Sequence, residues 1–263
     1  MDETVIRMSP SETLCEINGL PFVHSMFNSM KLLTLVAVVR KNIEGGELPL
    51  TTYLQPDFAT GLYNRHVEGA PEFPPHQMLG NAELAMLAEA KGNLKALLPE
   101  WTGLLDLPVK IYKLLTQQVS LTNPVLPQQM FLGEAAFTSI TDLEELLVHE
   151  LSHIWSSLIA EIYDFQLKDS SNNYILPSGT GGKNPRGVLL ACLFAASAVN
   201  YHQRLLASGS VRARPERLEY LHQYFLKSLV TLQASAELSE IGKLITSRLD
   251  VFSSNLITDT VQG

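Results

Sequence analysis

Thr141-Asp142-Leu143-Glu144-Glu145-Leu146-Leu147-Val148-His149-Glu150-Leu151-Ser152-His153-Ile154-Trp155 is the stretch on which the fold turns. Thr141 with Glu144 three residues on has the form of a capping box, a helix start. Leu143, Leu146, Leu147, Leu151, Ile154, Leu158, Ile159 and Ile162 then recur at three- and four-residue steps, uninterrupted by Gly or Pro. This spacing predicts one amphipathic helix over 141–165. His149 and His153 stand four apart on it, about 6 Å along the axis and on one face. Two imidazoles so placed suit one divalent transition metal, and Glu150 lies where it can reach a metal-bound water. The competing reading is a pair of histidines that only satisfy a buried helix.

Working outward, the chain has 263 residues, 46% hydrophobic and 17% charged, enough for a substantial core. A net charge of −8 argues against general binding to nucleic acid or an anionic membrane. Cys15 and Cys192 form no disulfide framework. The opening Met1-Asp2-Glu3 lacks the basic and apolar regions of a secretory signal. The longest apolar run, Val188 to Val199, is too short to span a bilayer and suits a buried helix. A soluble, cytoplasmic protein is expected, without nucleic-acid or membrane partners.

Upstream of the motif, residues 1–20 read as irregular, and His24 to Lys41 as a mostly buried helix. Glu47 to Pro75 is rich in Pro and Gly and reads as a long connection with at most one short strand. Asn81 to Leu98 is a helix with Asn81 as N-cap and Pro99 as its stop. Leu107 to Leu121 fits strand or helix, whereas Gln129 to Ser139 reads as a strand running into the histidine helix.

Downstream, a loop over 168–183 leads to Asn184-Pro185-Arg186, where Asn184 caps and Pro185 opens an apolar helix ending near Leu206. Pro215 opens another helix, Glu237 to Leu249 is the last, and 256–263 are a polar tail. The expected fold is α+β and mainly α-helical: a zincin-like HExxH helix beside a small sheet, with a C-terminal helical bundle. We read a single domain over 1–263, comprising an N-terminal helical and loop part (1–128), a metal-site core (129–206) and C-terminal helices (207–263).

Two histidines leave a divalent metal incomplete. Glu161 and Asp164 lie about 12 Å or more beyond the pair and cannot close the same site. His202 is the tentative third ligand, with Glu219 and His222 as further candidates; each alone reads as well as an ordinary polar residue. Arg186 begins an otherwise apolar helix, and its planar fork suits a carboxylate such as that of a dicarboxylate co-substrate. The competing reading is an ion pair with a surface acid. On one straight helix Arg186 and His202 stand about 24 Å apart, so they cannot both serve one metal.

Leu147-Val148-His149-Glu150-Leu151-Ser152-His153, then Leu176-Pro177, then Asn184-Pro185-Arg186-Gly187-Val188-Leu189-Leu190-Ala191 resembles, over about residues 130–206, the HExxH-type peptide β-hydroxylases of ribosomal peptide natural products. The resemblance implies an iron(II)- and 2-oxoglutarate-dependent oxygenase that hydroxylates the β-carbon of a residue in a peptide substrate. His149 and His153 would hold iron and Arg186 would bind 2-oxoglutarate. The family has a His about one turn after that Arg, and this chain has Leu190.

Two other functions compete with the oxygenase. A zinc peptidase would use Glu150 as catalytic general base. It lacks the extended histidine motif, because Ile154-Trp155-Ser156-Ser157 follows His153. A non-enzymatic partner-binding protein with a vestigial metal site is the third.

Overall fold

The computed structural model describes residues 8–66 and 72–261. Met1-Asp2-Glu3, residues 67–71 of the turn-rich stretch and the last two of the tail lie outside the described residues. The chain is mainly helical, about 60%, with a small four-stranded mixed sheet. Among the described residues it divides into two compact units: residues 29–162, and residues 8–28 with 163–261. The boundary falls within the stretch read as the metal-site core.

In chain order the elements are α1 (Pro10–Glu16), α2 (Ser29–Glu44), α3 (Leu50–Tyr53), α4 (Pro56–His66) and β1 (His76–Met78). There follow α5 (Asn81–Leu97), a 3-10 turn (Pro99–Trp101), α6 (Thr102–Leu105), β2 (Lys110–Leu114), β3 (Ser120–Thr122) and β4 (Gln129–Leu132). A second 3-10 turn (Glu134–Phe137) leads to α7 (Ile140–Ala160), α8 (Pro185–Ala207), α9 (Pro215–Gln233) and α10 (Glu240–Val261).

The first unit is built around the sheet, whose order is β1-β2-β4-β3. β2 and β4 run parallel in the middle, and the edge strands β1 and β3 are antiparallel to their neighbours. Side chains alternate across a strand, so Leu121 and its register partner Phe131 share one face. There Phe131 clusters with Leu114 and Leu126, and Tyr112 stacks on it at 5.4 Å. Ser120 and its partner Leu132 share the other face. At the end of β4 the Gly133 amide donates to the Val119 carbonyl at 2.8 Å. A Cβ on Gly133 would lie 2.1 Å from the Gln118 carbonyl oxygen, so only glycine allows this close approach.

Several boundaries differ from the sequence reading, each for a local reason. The cap of α7 is Ser139, whose hydroxyl accepts from the Asp142 amide, and Thr141 lies inside the helix. α5 begins one residue earlier in effect, because Gly80 is the cap and Glu83 accepts its amide at 2.7 Å. The turn-rich stretch holds α3 and α4 rather than a long connection, Pro56 serving as a first-turn residue of α4. Residues 10–16 form a helix with a complete Ser9–Glu12 capping box. The ambiguous 107–121 stretch forms two strands, and the last helix runs on to Val261 instead of leaving a tail.

The second unit is helical. α8 carries the apolar run, burying Val188, Leu189, Cys192, Leu193, Val199 and Leu205, and packs along α9 and against α10. Its cap is as expected: Asn184 Oδ1 accepts the Gly187 amide at 2.8 Å, with Pro185 at the first position. Residues 8–28 join this unit through α1 on α10 and through Asn200, whose side-chain amide donates to the Phe22 carbonyl at 2.9 Å.

Candidate metal centre

The site begins with the way α7 is held. Glu144 is buried and accepts from Asn93 of α5 at 2.8 Å. Glu150 is 3% exposed, and its Oε1 accepts from the Ser120 hydroxyl of β3 at 2.5 Å. The Trp155 indole donates to the Leu104 carbonyl at 3.0 Å. Just beyond the helix, Glu161 receives two hydrogen bonds from Arg40 of α2, at 2.8 and 2.7 Å. Arg40 is fully buried, and its remaining fork donates to the Tyr53 carbonyl and to Gln128 Oε1 at 2.8 and 2.7 Å. Four polar ties to four separate parts of the unit thus fix the rotation of α7 about its axis.

That rotation leaves His149 and His153 on the partly open side, with Leu146, Ser157 and Ala160. Their ring centroids are 4.7 Å apart with planes 75° to each other. A divalent ion approaching two neighbouring ring nitrogens needs this adjacency. Glu150, one residue on, turns toward the edge strand. Its second oxygen, Oε2, is buried without a hydrogen-bond partner among the described residues.

The remaining sequence candidates belong to the second unit. His202 is 1% exposed within α8, its ring against Tyr201 at 4.9 Å. Glu219 is exposed on α9 and accepts from Gln223 at 3.0 Å; His222 is half-buried on the same helix. Among the described residues no group of three or more His, Cys, Asp or Glu is placed to hold a metal ion. His149 and His153 therefore fit as a pair, and the described residues supply no completed ligand set around them.

Arg186 is half-buried at the start of α8. Its amide donates to Gln166 Oε1 at 3.1 Å, but its guanidinium makes no hydrogen bond or ion pair among the described residues. The expected surface-acid partner is therefore not seen there. Before Arg186, the 166–183 loop is tied to Glu237. That carboxylate accepts from the Ser171 amide at 2.8 Å, the Ser171 hydroxyl at 2.9 Å and the Tyr174 hydroxyl at 2.7 Å. These bonds, the Ser171 amide foremost, hold Glu237 below the usual carboxylate range.

Ser120 is the site residue that the sequence did not single out. Nothing local marks it: it lies 30 residues from Glu150, and only the strand pairing brings the two together.

A comparison with protein-family models returns no match, and a comparison with curated proteins returns none. No helix among the described residues is long and apolar enough to cross a membrane.

Proposed function

We propose that this chain is a metal-dependent enzyme in which His149 and His153 hold one divalent transition metal, and that it activates water to hydrolyse a peptide. The observation that carries this reading is Glu150, next in sequence to His149: one oxygen is bound by Ser120, while the other is buried and has no hydrogen-bond partner among the described residues. A bound divalent metal would polarise a carbonyl and acidify a water. Glu150 Oε2 takes the proton, as a general base must be both positioned and unoccupied to do. All three residues come from one unit.

The sheet supports a zincin-like arrangement and a peptide substrate. β3 is an edge strand, and Ser120 on it touches Glu150. An extended peptide can add to such an edge by main-chain hydrogen bonds, bringing a backbone carbonyl beside the histidine helix.

A second reading is the iron(II)/2-oxoglutarate oxygenase that hydroxylates a peptide. The uncommitted guanidinium of Arg186 favours it, because a co-substrate carboxylate needs a fork not already paired. In this reading Glu150 serves only as a tie to β3.

The test is to load the protein with zinc and, anaerobically, with iron(II), and to challenge each form with a peptide library. The hydrolytic reading expects cleavage by the zinc form, lost in Glu150→Gln with metal content unchanged. A visible absorption band on adding 2-oxoglutarate to the iron form, lost in Arg186→Ala, would transfer the assignment to the oxygenase. No bound metal in either form leaves a binding protein with a vestigial site.

A further inference from the structure

The strand register fixes which main-chain groups of β3 face outward. Val119 and Gly133 form a hydrogen-bonded pair, the Gly133 amide donating to the Val119 carbonyl at 2.8 Å. Such pairs alternate along an antiparallel ladder, so Leu121 turns its amide and carbonyl to Phe131 of β4. Ser120 and Thr122 turn theirs the other way, toward the side of β3 that carries no strand. Those two amides and two carbonyls have no hydrogen-bond partner among the described residues. Two residues further on, Pro124 lacks an amide hydrogen and ends the outward row. Length and charge decide the occupant. Three half-buried residues make an edge about 10 Å long, far short of the roughly 800 Å² per partner that a stable dimer buries. A net charge of −8 also sets two copies of the chain against each other. A single extended chain needs only main-chain groups of its own.

We propose that β3 docks a short, proline-free peptide segment as an added antiparallel strand, with one apolar residue opposite Leu121. The inference rests on the peptide-substrate reading above and on no metal. The residue opposite Leu121 lies on the sheet face of Phe131, Leu114 and Leu126, where an apolar cross-strand neighbour packs best. Its two flanking residues stand opposite Ser120 and Thr122, and each exchanges two main-chain hydrogen bonds with its partner. Their side chains turn to the other face, where the Ser120 hydroxyl meets Glu150. Recognition is then by main chain, with selectivity at the central side chain.

The probe is the fluorescein-labelled, end-capped peptide Lys-Thr-Val-Thr-Lys, followed by anisotropy as the metal-free full chain is added. Its lysines match the chain's negative charge. N-methylation of both threonines should weaken binding roughly tenfold or more, and N-methylation of the valine by no more than about twofold, because only the threonine amides meet the ladder. Thr122→Pro removes one outward amide and should also weaken binding roughly tenfold. Met78→Pro, on the outward side of the opposite edge strand β1, should leave it at the parent level. Hydrogen exchange in the parent chain reads the same geometry without a substitution: bound peptide should slow exchange at Ser120 and Thr122 and leave Leu121 unchanged. No binding up to about 1 mM protein, or equal losses from the two methylation patterns, would overturn the proposal and leave the metal reading to its own titration. Slowed exchange at Ser120 and Thr122 that follows protein concentration and not peptide would overturn it in favour of a second copy. Peptide binding without cleavage by the zinc form would uphold the docking strand and overturn the hydrolytic reading.

Discussion

Helices α7 and α8, 21 and 23 residues long, each form the spine of one unit, and each buries a long apolar face. They are held in different ways. α7 also buries Glu144 and Glu150 and is tied by Asn93, Ser120, Leu104 and, just past its end, Arg40. α8 buries mainly Val, Leu, Ala and Cys, with Ser197, Tyr201 and His202 among them; its first-turn amides donate to the Asn184 and Gln166 side chains, and further along Asn200 donates to the Phe22 carbonyl. Apolar burial is non-directional and fixes a helix face only broadly, whereas hydrogen bonds fix orientation. Holding one ion between His149 and His153, as proposed, would need the second kind of fixing. A helix that only fills a core does not.

The comparison is most severely tested at Arg40. Arg40→Ala leaves Glu161 and Gln128 in a buried site without their partner, and should cost about 3–5 kcal/mol. Chemical denaturation measures the loss, and metal affinity should fall with it, because the end of α7 is released. A loss under about 1 kcal/mol would show that the buried ties contribute little, the usual result for exposed ion pairs.

Leu189→Ala in α8 removes a fully buried side chain, and should cost about 2–5 kcal/mol through the cavity left behind. Here the expected outcome differs: metal stoichiometry and affinity at the paired histidines stay at the parent level in the folded protein. Equal metal loss in Leu189→Ala and Arg40→Ala would erase the distinction between the helices. Asn184→Ala should be milder, about 1 kcal/mol for one N-cap, measured by thermal unfolding.

The smallest effect concerns the loop before α8. Glu237 has a depressed folded-state pKa, so its contribution is fully present above the ordinary glutamate range and is lost as pH falls through its folded value. Proteolysis at Lys168 and Lys183 should therefore accelerate only on acidification, and Glu237→Gln should remove that pH dependence. An unchanged acid profile in Glu237→Gln would place the loop's anchor elsewhere.

What could be read from the chain follows the range of the forces involved. The histidine helix, the Asn184 cap with Pro185, and the Pro215 start are local signals, and the structure keeps them. Ser139 displaced Thr141 as cap because both positions offer a hydroxyl, and only the backbone decides which one meets an orphan amide. α3 and α4 were hidden by the density of Pro and Gly around them, although Pro56 is suited to a first turn. The strands are three to five residues long, too short for alternation to declare itself. Glu161 and Arg40 are 121 residues apart, and Glu150 and Ser120 are 30 apart, so neither pairing leaves a periodic trace. The histidine pair on one helix face was legible; the supports of that helix were not.

The most direct measurement is a divalent-metal titration of the parent chain beside His149→Ala and His153→Ala, with circular dichroism to confirm that each variant folds. The account predicts one zinc or cobalt ion per chain in the parent and loss of stoichiometric binding in both variants. A folded parent that binds no metal, or binding that survives both substitutions, would contradict it.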